Sequence, residues 1–382
     1  MRIEALTRPE DLVTLRPGWD ALAQTEPRDG LFRTSSWCLS WMEHVRPDAR
    51  PFVVVVRDDD GTLLGLAPLC KLKYRDHGLS LNAISPAGRE VVSGDYLDYL
   101  AVPSARNRVY PAILDFLWEK RSEWELLVVG EVADGGDLYR AVQTFSDTKE
   151  LPIRMQEERI CPYIELPPTF EDYLGGMSQQ FRWKIRRDTR DILEKFGAQV
   201  EVITEPEQVR DNLPILAALH TAHWQRVNQP GNMGRPGFLE CLKQFCANPS
   251  AGVRPRLYIL RHEQKPAAAV IMFWFAKTAS FYQAGWDPDS PLVRRTPGTV
   301  LLTQTIKDAI EHGLSYYDFL RGDESYKGRL TKSSRRTVTL LVARSFLAKK
   351  YLDAARLKDM VKRVLANDGG LQPVLQGAPD GK

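Results

Sequence analysis

The chain has 382 residues, 43% of them hydrophobic and 26% charged, the balance of a globular protein with ample core. At roughly 100–200 residues per domain, this length reads as two comparable halves. A formal net charge of +3 is too small for a protein held to DNA by its overall field, so any anion binding is local.

Ser35 and Ser36 can cap a helix carrying Trp37, Leu39, Trp41, Met42 and Val45 and ended by Pro47. The β-branched run 52–56, the turn Asp59-Asp60-Gly61 and the run 63–69 predict a hairpin. A helical pattern over 111–120 and a strand over 124–129 complete a strand–strand–loop–helix–strand outline. Four prolines, Pro152, Pro162, Pro167 and Pro168, mark a seam around 159–168, with a short strand over 160–166. The spacing of Phe181, Ile185, Ile192 and Phe196 predicts a helix over 178–196, capped by Ser178 and stopped by Gly197, with a basic outer face.

A strand over 199–203 and a helix over 209–226 come next, then a Gly/Pro/Asn-rich loop over 228–237. Strands follow over 257–261, 268–275 and 280–286, then a loop, a helix over 299–312 stopped by Gly313, and a strand over 315–320. A strand over 337–343 closes the sheet, and a basic amphipathic helix over 346–365 precedes a tail, after Asn367, expected to be disordered.

Five cysteines without C-x-x-C spacing read as reduced thiols, and six histidines without an H-E-x-x-H pattern give no metal site. The longest apolar run, 267–276, falls short of the about 20 residues a membrane span needs, so the expectation is a soluble, cytoplasmic protein. The oligomeric state is not readable.

The chemistry concentrates at Arg295-Thr296-Pro297-Gly298. An Arg-x-x-Gly turn opening a helix directs unpaired N–H groups, the positive helix end and a guanidinium to one point, which suits a pyrophosphate. Arg294, Arg295, Thr296, Gly298 and Thr299 are assigned to that grip, with Gln283 on the preceding strand.

The order of elements over 257–343 resembles the C-terminal core of the GNAT acyltransferase superfamily. In that fold the fourth and fifth strands splay apart, the pantetheine of acyl-CoA lies between them, and its pyrophosphate rests on the loop opening the intervening helix. The family loop is R/Q-x-x-G-x-G/A; here the first Gly is Gly298, whereas Val300 stands at the second. A closer likeness, over 160–345, is to the CelD-like branch. It rests on Ser178-Gln179-Gln180-Phe181-Arg182-Trp183-Lys184-Ile185-Arg186-Arg187, Leu219-His220 with Trp224, the Pro297-Gly298 turn, and Tyr317-Asp318-Phe319 leading to Arg321-Gly322-Asp323-Glu324-Ser325-Tyr326-Lys327. That branch is similar in turn to the Fem-type aminoacyltransferases, which have two GNAT-like domains and take their acyl group from aminoacyl-tRNA.

The resemblance implies an α/β (α+β) fold of tandem GNAT-like domains, each a mixed, mostly antiparallel sheet flanked by helices. Residues 1–158 would be a degenerate GNAT-like domain, 159–345 the catalytic one, and 346–382 the basic helix and tail. It implies acyl-CoA as donor, acetyl-CoA first, with no metal, and a small-molecule or cell-surface polysaccharide precursor as acceptor. Glu324 is the expected general base and Tyr326 the acid for the leaving thiolate, with His223 as an alternative base. Lys327 is assigned to a phosphate or an oxyanion. Asp318, at the middle of an apolar strand, is an anchor for the next loop or a base. Arg182 and Arg186, which with Arg190 line one stripe of a helix, join His220 and Trp224 as acceptor-binding residues. DNA is not an expected partner, and tRNA enters only under the first alternative, a Fem-type transferase. The second alternative is a non-catalytic scaffold that keeps the fold. The last helix can touch an anionic membrane surface, although docking on its own domain comes first.

Overall fold

The chain lays down one plan of elements twice. The computed structural model describes residues 1–368 apart from 27, 77, 90–93, 227, 229–230 and 323, so the tail beyond 368 and part of the 228–237 loop lie outside the described residues. The first half begins with β1 (Arg2–Leu6), α1 (Pro9–Gln24) and α2 (Ser35–His44), then β2 (Arg50–Pro51), β3 (Val53–Arg57) and β4 (Leu63–Ala67). It continues through β5 (Leu69–Asp76), β6 (Leu79–Pro86), β7 (Leu100–Ala101), α3 (Arg106–Glu119), β8 (Leu126–Ala133), α4 (Asp137–Thr148) and β9 (Ile153–Glu165).

The second half adds α5 (Phe170–Gly175), α6 (Gln179–Arg190), β10 (Gln199–Ile203), α7 (Pro206–Arg226) and α8 (Phe238–Ala247). After these come β11 (Arg254–His262), β12 (Lys265–Phe275), β13 (Thr278–Trp286), α9 (Pro297–Glu311), β14 (Tyr316–Asp318), α10 (Lys327–Leu330), β15 (Ser334–Ala343) and α11 (Phe346–Asp368).

The predicted hairpin is present, since β3 and β4 pair antiparallel with Val55 opposite Leu66. The apolar run is broken at Pro68, which has no N–H for the ladder, and continues as β5 in a different sheet. Ser35 and Ser36 do not cap α2. Thr34 holds the N-cap position without a side-chain cap, and the Ser35 N–H and hydroxyl go to Asp20 instead, at 2.8 and 3.0 Å. Ser178 does cap α6, its hydroxyl accepting from the Phe181 N–H at 3.3 Å.

Both halves run antiparallel hairpin, helix, parallel strand, helix, strand: β5–β6, α3, β8, α4, β9, then β12–β13, α9, β14, α10, β15. The final strands are exchanged. β9 pairs antiparallel with β14 of the second half, β15 pairs antiparallel with β8 of the first, and β9 and β15 pair with each other. The result is one sheet of eleven strands in the order β10-β11-β12-β13-β14-β9-β15-β8-β6-β5-β2, beside a four-stranded sheet β1-β3-β4-β7. The strand expected over 337–343 therefore lies at the centre of the sheet instead of closing it. The seam expected around 159–168 holds the end of an unbroken β9, and the 158/159 boundary falls inside that strand.

Alternation along β12 sends Ala269, Ile271 and Phe273 into a core with α1, α2, α7 and α8, and Val270, Met272 and Trp274 into one with α6 and α9. Val338, Leu340 and Val342 of β15 are buried in a third core with α3, α4 and β8. The last helix docks on its own chain through Ala348 and Leu352, while Phe346 is 74% exposed. All five cysteines are buried, and none is in a disulfide. Among the described residues no helix is long and apolar enough to cross a membrane.

Candidate active site

β13 and β14 pair in parallel at three positions only: Thr278 with Tyr316, Ala279 with Tyr317 and Ser280 with Asp318. Beyond them the chain stays with β9, as the Phe319 N–H reaches the Pro162 carbonyl at 2.9 Å and the Gly322 N–H that of Ile160 at 3.0 Å. β13 meanwhile runs on to Trp286, and a bulge at Tyr282 shifts its register with β12. The sheet thus opens as a wedge at this end.

At the mouth of the wedge Thr296 turns the chain with φ of 47° and Pro297 starts α9. The first-turn N–H groups of Gly298 and Thr299 have no acceptor inside the helix. Thr296 does not cap them, because its hydroxyl lies 3.2 Å from Asp188 Oδ2 and 2.9 Å from Lys184 Nζ. Arg295 is not free either: its Nε sits 2.8 Å from Asp191 Oδ2. Lys195 and then Arg295 hold the Asp191 carboxyl below the usual range. Arg294 is exposed. The turn expected to open this helix is therefore present, and two of its side chains are already tied to α6 and to the turn that follows it.

The loop after β14 folds tightly. Asp318 is buried and accepts from the Tyr96 hydroxyl at 2.9 Å, from the Leu320 N–H at 2.7 Å and from the Arg335 guanidinium. Burial pushes its carboxyl up and Arg335 opposes that shift. Both Asp318 oxygens are thus engaged, and the bond to Leu320 ties the start of the next loop to the strand. Lys327 departs from expectation more sharply. It is buried, and its ammonium is spent on the Arg321 carbonyl at 2.9 Å and Glu324 at 2.9 Å, so it ties the loop together and is closed to an oxyanion or phosphate. Glu324 itself is exposed at the rim. Tyr326 is half-buried, and burial pushes its phenol far up, so it is protonated at any working pH. Asp323 lies outside the described residues.

On the other face, Gly285 lets α7 come close, since a Cβ there would lie 2.3 Å from the His220 nitrogen. His220 is buried beside Trp224 and Gly231, Gln283 reaches its ring, and its Nδ1 has no partner among the described residues. Burial lowers its pKa from 6.5 to about 4. The unfolded chain takes up this proton first, so the stability it contributes is full above pH 6.5 and is lost as pH falls toward 4. A loss on the order of 2 kcal/mol is expected at the acid end, and urea midpoints of wild type and His220→Gln should converge as pH falls. His223 stacks on Trp286 with ring centroids 3.6 Å apart, and burial lowers its pKa as well. Trp286 in turn flanks Gly298, its ring 3.3 Å from where a Cβ would stand.

The four residues assigned to the acceptor do not form one site. Arg182 and Arg186 ride on α6, whose apolar residues pack in the core shared with α9, and bind the Gly175 carbonyl at 3.4 Å and Glu171 at 2.5 Å. His220 and Trp224 ride on α7, across the sheet. Lys184, Asp188, Asp191 and Trp286 were missed as site residues. The i, i+4 and i+7 spacing of Lys184, Asp188 and Asp191 on one helix face was the available signal. Among the described residues no cluster is placed to hold a metal ion.

Residues 179–328 match the family model described as an acetyltransferase (GNAT) domain. That stretch holds α6, the wedge, the α9 turn and the loop through Lys327. No curated protein matches the chain. Among solved structures, the crystal structure of FemX is similar at 12% identity with a TM-score of 0.61, over 90% of this chain and 98% of that one. A conserved protein of unknown function from Bacteroides thetaiotaomicron gives 13% and 0.57 over 90% and 100%. L-PGS from Bacillus licheniformis gives 12% and 0.52 over 94% and 99%. At such identities these likenesses concern the fold. Residues 179–328 thus carry a GNAT-type transferase domain, within a chain of mixed α/β architecture, one large mixed sheet flanked by helices.

Proposed function

We propose that this transferase moves an acyl group, acetyl first, from coenzyme A to an amine or hydroxyl of a small-molecule or cell-surface polysaccharide precursor, as in the CelD-like branch. The observation that carries this reading is the wedge between β13 and β14 opening beside an uncapped helix start. The donor pyrophosphate lies against the Gly298 and Thr299 N–H groups, with Arg295 shared between it and Asp191. The thioester enters the wedge. Glu324 takes the acceptor's proton, directly or through a water, as the acceptor nitrogen or oxygen bonds to the thioester carbon. The carbon–sulfur bond then breaks, and Tyr326 gives its proton to the departing sulfur. No covalent enzyme intermediate is needed.

Calorimetry with coenzyme A tests the donor site. Arg295→Ala should weaken binding by about 1.5–3 kcal/mol. It should also lower the unfolding temperature slightly, because Asp191 keeps only Lys195. Equal affinity for variant and wild type would remove Arg295 from the site.

A second reading, transfer from aminoacyl-tRNA, is favoured by one surface feature. Trp183 on α6 is 60% exposed with the Arg187 guanidinium 4.7 Å over its ring, and Arg190 is exposed one turn on. Changing Arg182, Arg186 and Arg190 together to Gln separates the two. On the acyl-CoA reading, donor KM stays within a few-fold. A steep loss of transfer with a flattened salt dependence would instead identify an RNA donor.

A further inference from the structure

An open groove of about 500 Å³ lies between the α5–α6 junction and α10. It is lined by three cationic side chains from separate segments, Lys184, Arg329 and Lys332, and by no carboxylate, over apolar ground formed by Tyr173, Phe181 and Leu330. At one end it reaches the start of α9, because Lys184 lines the groove and its Nζ lies 2.9 Å from Thr296 Oγ1. At the other it reaches α10, which Tyr326 directly precedes. Arg329 and Lys332 are both exposed, and the Lys332 ammonium donates to the Gly328 carbonyl at 2.8 Å, which holds it at the groove without neutralising its charge.

A groove with exposed cations, no carboxylate in its lining and an aromatic floor takes a flat molecule bearing phosphate. We propose that this groove seats the nucleotide end of the donor, and that Arg329 and Lys332 bind a phosphate monoester on its ribose. The protein therefore selects a donor carrying that phosphate. This rests on the acyl-CoA reading and extends it, since neither residue belongs to the turn that meets the pyrophosphate. Lys184, held by Asp188 and Thr296, stands between the two phosphate positions.

The test is calorimetry on the full chain with coenzyme A, dephospho-coenzyme A and adenosine 3′,5′-bisphosphate, for wild type and an Arg329→Gln/Lys332→Gln variant. Wild type should prefer coenzyme A to dephospho-coenzyme A by about tenfold or more and should bind the bisphosphate. The variant should lose that preference while keeping its affinity for dephospho-coenzyme A and its unfolding temperature. Equal wild-type affinity for the two compounds overturns the proposal, as does a preference that survives in the variant; in both cases coenzyme A binding leaves the donor reading intact. Failure of wild type to bind either compound overturns the donor reading as well.

Discussion

Replacing Tyr326 by Phe lowers the single-turnover acyl-transfer rate by roughly 10²- to 10⁴-fold while coenzyme A binds as before. On the proposed mechanism the phenol, which burial keeps protonated, gives its proton to the sulfur as the carbon–sulfur bond breaks. The ring of the variant still packs against the core that includes Phe319 and Leu330, so the loop should keep its shape. Its raised pKa also means that Tyr326 does not set the alkaline limb of the pH profile. Glu324→Gln belongs to the same range, and the amide oxygen can still accept from Lys327. A Tyr326→Phe rate within a few-fold of wild type would show that the thiolate leaves without this acid. The same result for Glu324→Gln would move the base to His223, which stands beside Trp286 and the α9 turn.

Cutting the chain between residues 158 and 159 should leave two pieces, neither of which folds alone. The first piece loses Val338, Leu340 and Val342 from its core, at about 1.5–3 kcal/mol each, a sum comparable with the entire net stability of a domain. The second loses the partners of buried charges. Arg321 sits 2.6 Å from Asp95 and 3.2 Å from Glu131, and Arg335 2.6 Å from Asp29. Stranded charges of this kind are costly. Circular dichroism should show no cooperative melt for either piece, and mixing them should restore one. A sigmoidal melt from 159–382 alone would mean that the exchanged strands are dispensable.

Local pattern carried most of the second half. The strand over 199–203, the Ser178 cap and the α9 helix with its Gly313 stop each depend on residues within a few positions of one another. Pairing is not local. Nothing in the run 153–165 announces that its neighbours are β14 and β15, and Pro162 does not interrupt the strand because only its carbonyl is called on, by Phe319. The same divide separates the site residues. The α9 turn is legible because an Arg-x-x-Gly opening constrains its own backbone. Whether Arg295 is free depends on Asp191, in a distant segment. Lys327 looked available beside Gly322, but the tight loop carries it inward to the Arg321 carbonyl. Asp318 was legible in part, since a carboxylate within an apolar strand needs partners. That they would be Tyr96 and Arg335 required the assembled fold.

The exchange of strands also sets an order of events on the ribosome. β8 is complete once residue 133 has been made, yet the edge it offers is covered by residues 334–343, some two hundred positions later. Through that interval the first half carries a bare strand rich in Leu and Val, Leu126–Ala133, open to pairing with any neighbouring nascent chain. Translation that stops short of β15 releases a chain with that edge uncovered, so premature termination late in the message should yield insoluble product and not a smaller working enzyme.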